Sequence, residues 1–212
     1  MSNMDMLTTV YCYGSPEMAL LSAAYTQITK WLGVPEYETC GCSDAKLFDE
    51  QAAMESTINT TTAALIGGNM IHDVGYLEQG LSSSMEMMVA TDEIVDRVRR
   101  IMRGIPVDDE TKALDVIEDV GPGGHYLEHD HTYDRFKTEI WRPKLTDRLN
   151  WENWEKAGSK IFRDRCHERV IEVLEAETEP LMDEAMYKEL RRICELADAR
   201  HKDEELDMQM FV

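Results

Sequence analysis

Three short β-forming runs, each followed by a longer stretch of helical character, predict an α/β chain assembled from parallel βα units over roughly the first hundred residues. Two further observations support this class. Glycines at Gly33, Gly67-Gly68 and Gly104 close the three helical stretches where a helix C-terminus wants a left-handed residue. At 212 residues, with 43% hydrophobic and 30% charged side chains, the chain is also long and apolar enough to bury a core.

The first strand is expected at residues 8–13, after a polar, Met-rich lead, because Thr8, Thr9, Val10, Tyr11 and Tyr13 are good β-formers and Gly14 ends the run. Ser15 is then a good N-cap, Pro16 fits the first helical position and Glu17 complements the dipole, so a helix should run to about Trp31. Its core face is expected to carry Leu20, Leu21, Ala24, Ile28 and Trp31. A second strand is expected at 37–42 and a second helix at about 49–65, whose Thr57 to Thr62 region is poor in helix propensity and needs tertiary support. A third strand follows at 69–74. From Ser84 the residues Met85, Met88, Val89, Val95, Val98 and Met102 recur at helical spacing and predict a third helix with its methionines in the core.

Beyond Gly104 the pattern changes. A short helix is expected at 109–117, then Gly121-Pro122-Gly123-Gly124, a bend that glycine and proline favour, followed closely by His125, His129 and His131. Asn150 can cap a helix reaching to about residue 176, Pro180 separates it from a last helix at about 183–202, and residues 203–207 form an acidic tail.

The net charge of −20 argues against nucleic-acid binding and disfavours anionic membranes, and no long apolar span is present. Five cysteines without a signal peptide fit a reducing cytoplasm. Cys40 and Cys42 have Cys-x-Cys spacing, which is not that of a zinc knuckle, and Cys12, Cys166 and Cys194 are expected as buried small hydrophobes. No metal is expected.

The run Val120-Gly-Pro-Gly-Gly-His-Tyr-Leu-Glu-His-Asp-His-Thr132, with Asp115-Val116-Ile117 before it, resembles the C-terminal part of the trimethylamine/glycine betaine:corrinoid methyltransferases. Gly14-Ser-Pro-Glu-Met-Ala-Leu20, Cys42-Ser-Asp-Ala-Lys46 and His72-Asp-Val-Gly-Tyr-Leu-Glu-Gln-Gly80 agree, in order along the chain. The resemblance implies the C-terminal part of a (β/α)₈ TIM-type barrel with extra C-terminal helices. Residues 1–120 would supply βα units, and residues 121–212 the Gly/His-rich loop and terminal helices. It implies transfer of a methyl group from a small amine to the Co(I) corrinoid of a partner corrinoid-binding protein. Relatives acting on trimethylamine carry pyrrolysine, expected near Gly41-Cys42. None is written here, which points to the non-pyrrolysine branch and to glycine betaine or a related quaternary amine.

In parallel barrels ligands sit at the carboxyl ends of the strands. His72 is therefore the expected catalytic residue, and Tyr13, Asp44, Asp73 and Tyr76 the expected substrate-binding residues, aromatic faces and carboxylates being suited to a quaternary cation. Cys42, His125, His129 and His131 are expected to face the cofactor or the partner. Two alternatives stand beside this reading: a metal-dependent hydrolase using His129-Asp130-His131, and a non-catalytic interaction piece. Members of the resembled family are about twice this length, so an oligomer or a companion N-terminal half is expected.

Overall fold

The structure, a computed structural model, describes residues 3–177 and 181–201. The chain divides into two compact units, residues 1–174 and 175–212. The expected boundary between residues 120 and 121 falls inside the first of them.

The first unit opens with an antiparallel pair, β1 (Asn3–Met4) and β2 (Tyr11–Cys12). This corrects the expected parallel strand at 8–13. Asp5 accepts hydrogen bonds from the Leu7 N–H and the Thr8 hydroxyl, and Thr9 adopts a positive φ, so the chain folds back on the lead segment. Helix α1 (Pro16–Leu32) follows, with the Ser15 side chain capping the Met18 N–H and Gly33 in the left-handed conformation.

A single βαβ unit comes next: β3 (Tyr37–Thr39), helix α2 (Glu50–Ile66) and β4 (Met70–His72), with Glu38 paired to Ile71 in parallel register. A small antiparallel pair, β5 (Tyr76–Leu77) and β6 (Ser82–Ser83), is joined by a 3₁₀ turn and leads into α3 (Met85–Met102). The expected α/β class is borne out in its coarse form, and a TIM-type barrel is not seen. Among the described residues the chain is mixed α/β and mostly helical, its sheets are pairs of strands, and no closed barrel forms.

Two helices present a different face from the one periodicity predicts. On α1 the buried residues are Met18, Thr26 and Thr29, while Leu20, Ile28 and Trp31 are 72%, 54% and 84% exposed. The cause lies in β3 and the residue before it, where Glu38 and Glu36 face the helix. Thr29 donates its hydroxyl to Glu36 (2.7 Å) and Thr26 to Glu38 (3.3 Å), so the helix offers its hydroxyl side to the strand. On α3 the core residues are Met87, Ala90, Thr91, Ile94 and Val98. Met85, Met88 and Met102 point outward, which corrects their placement in the core.

After α3 come α4 (Asp109–Lys112) and α5 (Leu114–Val120), separated by a kink at Ala113 where one short helix was expected. Helix α6 (Asp130–Glu139) occupies the histidine segment, which reads as a loop in sequence. The helix expected from Asn150 to residue 176 is two, α7 (Trp151–Lys156) and α8 (Phe162–Glu175), divided where Gly158 and Ser159 take positive φ. The hydrophobic core gathers Ala45, Phe48, Ala52, Leu77, Met87, Ala90 and Cys166. The second unit holds α9 (Glu184–His201), with Met186 N–H bound to the Asp183 carboxylate. Pro180 and the acidic tail lie outside the described residues.

One side chain fastens the long C-terminal excursion of the first unit to α3. Glu93, 2% exposed, accepts backbone N–H groups from Lys144 (3.0 Å), Leu145 (3.1 Å) and Thr146 (2.8 Å), together with the Thr146 hydroxyl. Burial alone would raise its carboxyl, but the bonds from Thr146, Lys144 and Leu145 outweigh burial and hold it below the usual glutamate value of 4.5. Replacing Glu93 by Ala should lower the unfolding free energy by about 3 kcal/mol at neutral pH, since several buried donors lose their acceptor together. The depressed folded-state value means this stabilisation is complete above the unfolded value and is lost as pH falls through the folded one. Urea unfolding at pH 7 and in the acid range tests both points: wild type and Glu93→Ala should differ clearly at neutral pH and converge on acidification.

Candidate functional site at the strand ends

Helix α2 builds the site through its polar inner face. Asn59, buried, accepts the Gly41 N–H on Oδ1 (2.9 Å) and donates Nδ2–H to the Cys42 carbonyl (2.9 Å), fixing the turn that follows β3. Gly41 has φ +63°, and a Cβ there would lie 2.6 Å from the Thr91 methyl, so both conformation and space require glycine. One turn earlier on α2, the Glu55 carboxylate accepts the Ser43 hydroxyl (2.6 Å) and the Asp44 N–H (2.9 Å). The fastened turn is then stitched to the segment after β4: Gly75 N–H donates to the Gly41 carbonyl and Ser43 N–H to the Tyr76 carbonyl, both at 2.9 Å.

Asp44, released toward the first hairpin, accepts the N–H groups of Tyr13 (2.7 Å) and Gly14 (3.1 Å) on separate oxygens. It thereby carries Tyr13 to the strand ends. Burial, followed by the negative charges of Asp73, Cys42 and Tyr11, raises the Tyr13 hydroxyl above its ordinary value. Tyr13 and Tyr76 approach one another over Gly80: a methyl group placed on that glycine would lie 3.7 Å from Tyr13 Cε2 and 3.5 Å from Tyr76 Cδ2.

At the end of β4, His72 Nδ1 pairs with Asp73 Oδ1 at 2.7 Å, and Thr39 donates its hydroxyl to Asp73 Oδ2 at 3.2 Å. Asp73 is held at φ +70°, a left-handed backbone uncommon outside glycine, asparagine and aspartate. The Tyr37 ring meets His72 edge-on, 5.3 Å between centroids.

Of the residues singled out in sequence, Tyr13, Cys42, Asp44, His72, Asp73 and Tyr76 therefore belong to one connected strand-end network. Within it Cys42 lies beneath the surface, fully buried under the Asn59 amide. The three histidines after the glycine turn are held elsewhere. His129 caps α6, its Nδ1 accepting the His131 N–H (3.1 Å) and its Nε2 facing Asp119 (3.4 Å). His131 stands beside it with a buried, unpartnered Nε2, and His125 is exposed on the loop. Among the described residues no group of three or more histidine, cysteine or acidic side chains is placed to share a metal ion. Asn59, Glu55 and Thr39 escape a reading by motif. For Asn59 the signal is compositional: a polar residue in the stretch of α2 that propensity alone does not sustain.

A parallel βαβ unit with aromatic and acidic side chains collected at the carboxyl ends of its strands places the chain in the broad class of mixed α/β proteins. Within that class the assignment is specific, for the sequence matches the model of the family described as "Trimethylamine methyltransferase (MTTB)" over residues 1–202, and the chain belongs to that family. It is 35% identical over 192 residues to the trimethylamine methyltransferase MttB of Desulfitobacterium hafniense (strain DSM 10664 / DCB-2), covering 91% of this chain and 38% of that one. It is 37% identical over 185 residues to the trimethylamine methyltransferase MttB of Methanosarcina barkeri (87% and 37% covered). Against the glycine betaine methyltransferase of Desulfitobacterium hafniense (strain Y51) the identity is 36% over 180 residues (84% and 37% covered). The chain thus spans less than two fifths of the length of these relatives. No helix among the described residues is long and apolar enough to cross a membrane.

The cysteines divide by environment. Burial pushes the Cys40 thiol up to about 11 and Cys166 up to about 12, and raises Cys42 as well. Cys12 is half-buried and Cys194 exposed, correcting the expectation that both lie in the core. In the native protein a thiol reagent such as Ellman's should modify Cys194 fastest, then Cys12, and reach Cys40, Cys42 and Cys166 only after denaturation. Rapid native labelling of Cys42 would show that the strand-end turn opens.

Proposed function

We propose that this chain is part of an enzyme that transfers a methyl group from a glycine betaine-like quaternary amine to the Co(I) corrinoid of a partner corrinoid-binding protein. The observation that carries the reading is the meeting of Tyr13 and Tyr76 over Gly80, with the charge of Asp73 acting on Tyr13. Two electron-rich rings and one anion suit a methylated ammonium head. Family membership supports methyl transfer, and the relatives include both trimethylamine and glycine betaine methyltransferases. The choice of a quaternary amine rests on the sequence, which carries no pyrrolysine. Carnitine, proline betaine and γ-butyrobetaine belong to the same chemical class.

The partner's corrinoid is the methyl-accepting substrate. The methyl leaves as CH₃⁺, the N–C electron pair stays on the departing tertiary amine, and cobalt supplies the pair for the new bond. A quaternary nitrogen needs no proton to leave, so the task of Tyr13, Tyr76 and Asp73 is to hold the cation with one methyl outward. His72, fixed by Asp73, orients the substrate, and His125 with the His129–His131 pair forms a face toward the corrinoid protein. A second reading, an interaction subunit without activity of its own, is favoured by the outward apolar stripe of α1 and the exposed Tyr37, Met70 and Ile71 on the parallel strands.

Purified protein, supplied with a corrinoid protein in the Co(I) state and a panel of amines, should change the corrinoid's visible spectrum with glycine betaine or another quaternary amine and not with trimethylamine. His72→Ala should slow this about 100-fold with little loss of thermal stability. Transfer from trimethylamine would overturn the substrate class, and wild type inert toward every amine would move the chain to the interaction reading. In size-exclusion chromatography with light scattering, both readings expect a species larger than the 24.4 kDa monomer, or a stable complex with a companion chain. A monomer that binds no apolar dye contradicts them.

A further inference from the structure

Between the N-terminal end of α3 and the first half of α8 lies a cleft of about 500 Å³. It is lined by Ser82, Ser83 and Ser84 ahead of α3, by Arg163 and His167 of α8, by Lys46, and by the buried Phe48 and Leu77. Charge is distributed unevenly over this lining. The carboxylates that reach the cleft are already engaged: Glu86 by His167 Nδ1 (2.9 Å) and the Ser84 hydroxyl (2.8 Å), Asp164 by the Ile161 N–H (3.0 Å), and Glu168 by Lys160 (2.6 Å).

The cations are not. Arg163 has no ion pair or hydrogen bond among the described residues, and Lys46 holds only the Asp44 carbonyl (2.8 Å). Ser82 Oγ, shielded from solvent, has no partner either. Lys46, Arg163 and the Ser82 hydroxyl thus line one cleft with bonding capacity unspent among the described residues.

We propose that this cleft binds a small amphiphilic carboxylate. The guanidinium of Arg163 offers the planar fork that matches two carboxylate oxygens, and Lys46 adds a second positive charge. Ser82 and Ser83 supply hydroxyl donors, and the apolar body of the ligand rests on Phe48 and Leu77. The nearby Glu86, Asp164 and Glu168 disfavour a dianion, which selects a carboxylate over a phosphate monoester. The site uses none of the side chains assigned to the methyl donor, so it stands or falls independently of that reading.

Isothermal titration of the full chain with hexanoate, acetate and inorganic phosphate tests the proposal, with amide NMR shifts to locate binding. Hexanoate should bind saturably, acetate about 10-fold more weakly for want of the apolar contact, and phosphate more weakly still. Shifts should fall on Ser82 to Glu86. The double variant Lys46→Gln/Arg163→Gln should weaken hexanoate about 10-fold or more with an unchanged thermal midpoint, while Lys188→Gln on α9 leaves binding as it was. Absence of saturable hexanoate binding, equal affinity in the double variant, or shifts confined to other surfaces would each overturn the site. Phosphate binding more tightly than hexanoate would overturn its carboxylate character.

Discussion

The buried amide of Asn59 is the contact on which the strand-end architecture depends. A turn that leaves a parallel strand carries backbone groups that no longer have a ladder partner, and burying them unpaired costs on the order of 1–3 kcal/mol each. Asn59 satisfies one donor and one acceptor at once, Gly41 N–H and Cys42 C=O, from a single rigid helix. Once that turn is fixed, Glu55 orders Ser43 and Asp44, Asp44 anchors Tyr13 and Gly14, and the Gly41 carbonyl receives Gly75. The candidate site is the end of this chain of hydrogen bonds.

The same reliance on polar contacts explains why the helices turn as they do. Helix α2 buries Ser56, Asn59 and Thr60 beside Ala52 and Ala63, so its inner face is polar and small. Helix α1 meets two buried glutamates with threonines. An amphipathic helix ordinarily puts its apolar stripe inward because burial of such side chains is the largest favourable term. Here the strand beneath α1 offers carboxylates, and a buried carboxylate without donors costs more than an exposed leucine. Leu20, Ile28 and Trp31 are left outside as a result, which gives the chain an apolar surface of the kind that marks contact with another polypeptide.

What could be read in the sequence follows this division. Helix limits set by local chemistry were legible: Ser15 and Asn150 cap as expected, and Gly33 closes α1. The βαβ unit and the grouping of Tyr13, Asp44, His72, Asp73 and Tyr76 were legible through strand ends and motif order. Facing was not, since periodicity reports where apolar residues recur and says nothing of the polarity of the surface they meet; Met85, Met88 and Met102 on α3 show the consequence. The Asp5 turn that reverses the first strand, the kink at Ala113 and the break at Gly158-Ser159 depend on positive-φ residues whose effect is set by surroundings. The barrel came from resemblance, and the described residues contain one parallel strand pair.

The two acidic candidates at the strand ends are not equivalent, and the hydrogen bonds say why. Asp44 commits both oxygens to backbone N–H groups of the neighbouring hairpin, so its charge is spent on positioning Tyr13. Asp73 is bracketed by side chains, Thr39 and His72, which fix the plane of its carboxylate while leaving acceptor positions free. Its left-handed backbone is a local cost of the kind that persists where the surrounding structure over-determines a conformation. Burial and the nearby negative groups also keep Tyr13 a neutral phenol well past neutral pH, preserving a ring face instead of adding a second anion. Asp44 is thus committed to the fold, and Asp73 is the strand-end carboxylate that keeps acceptor capacity, its charge acting on a Tyr13 ring that stays neutral.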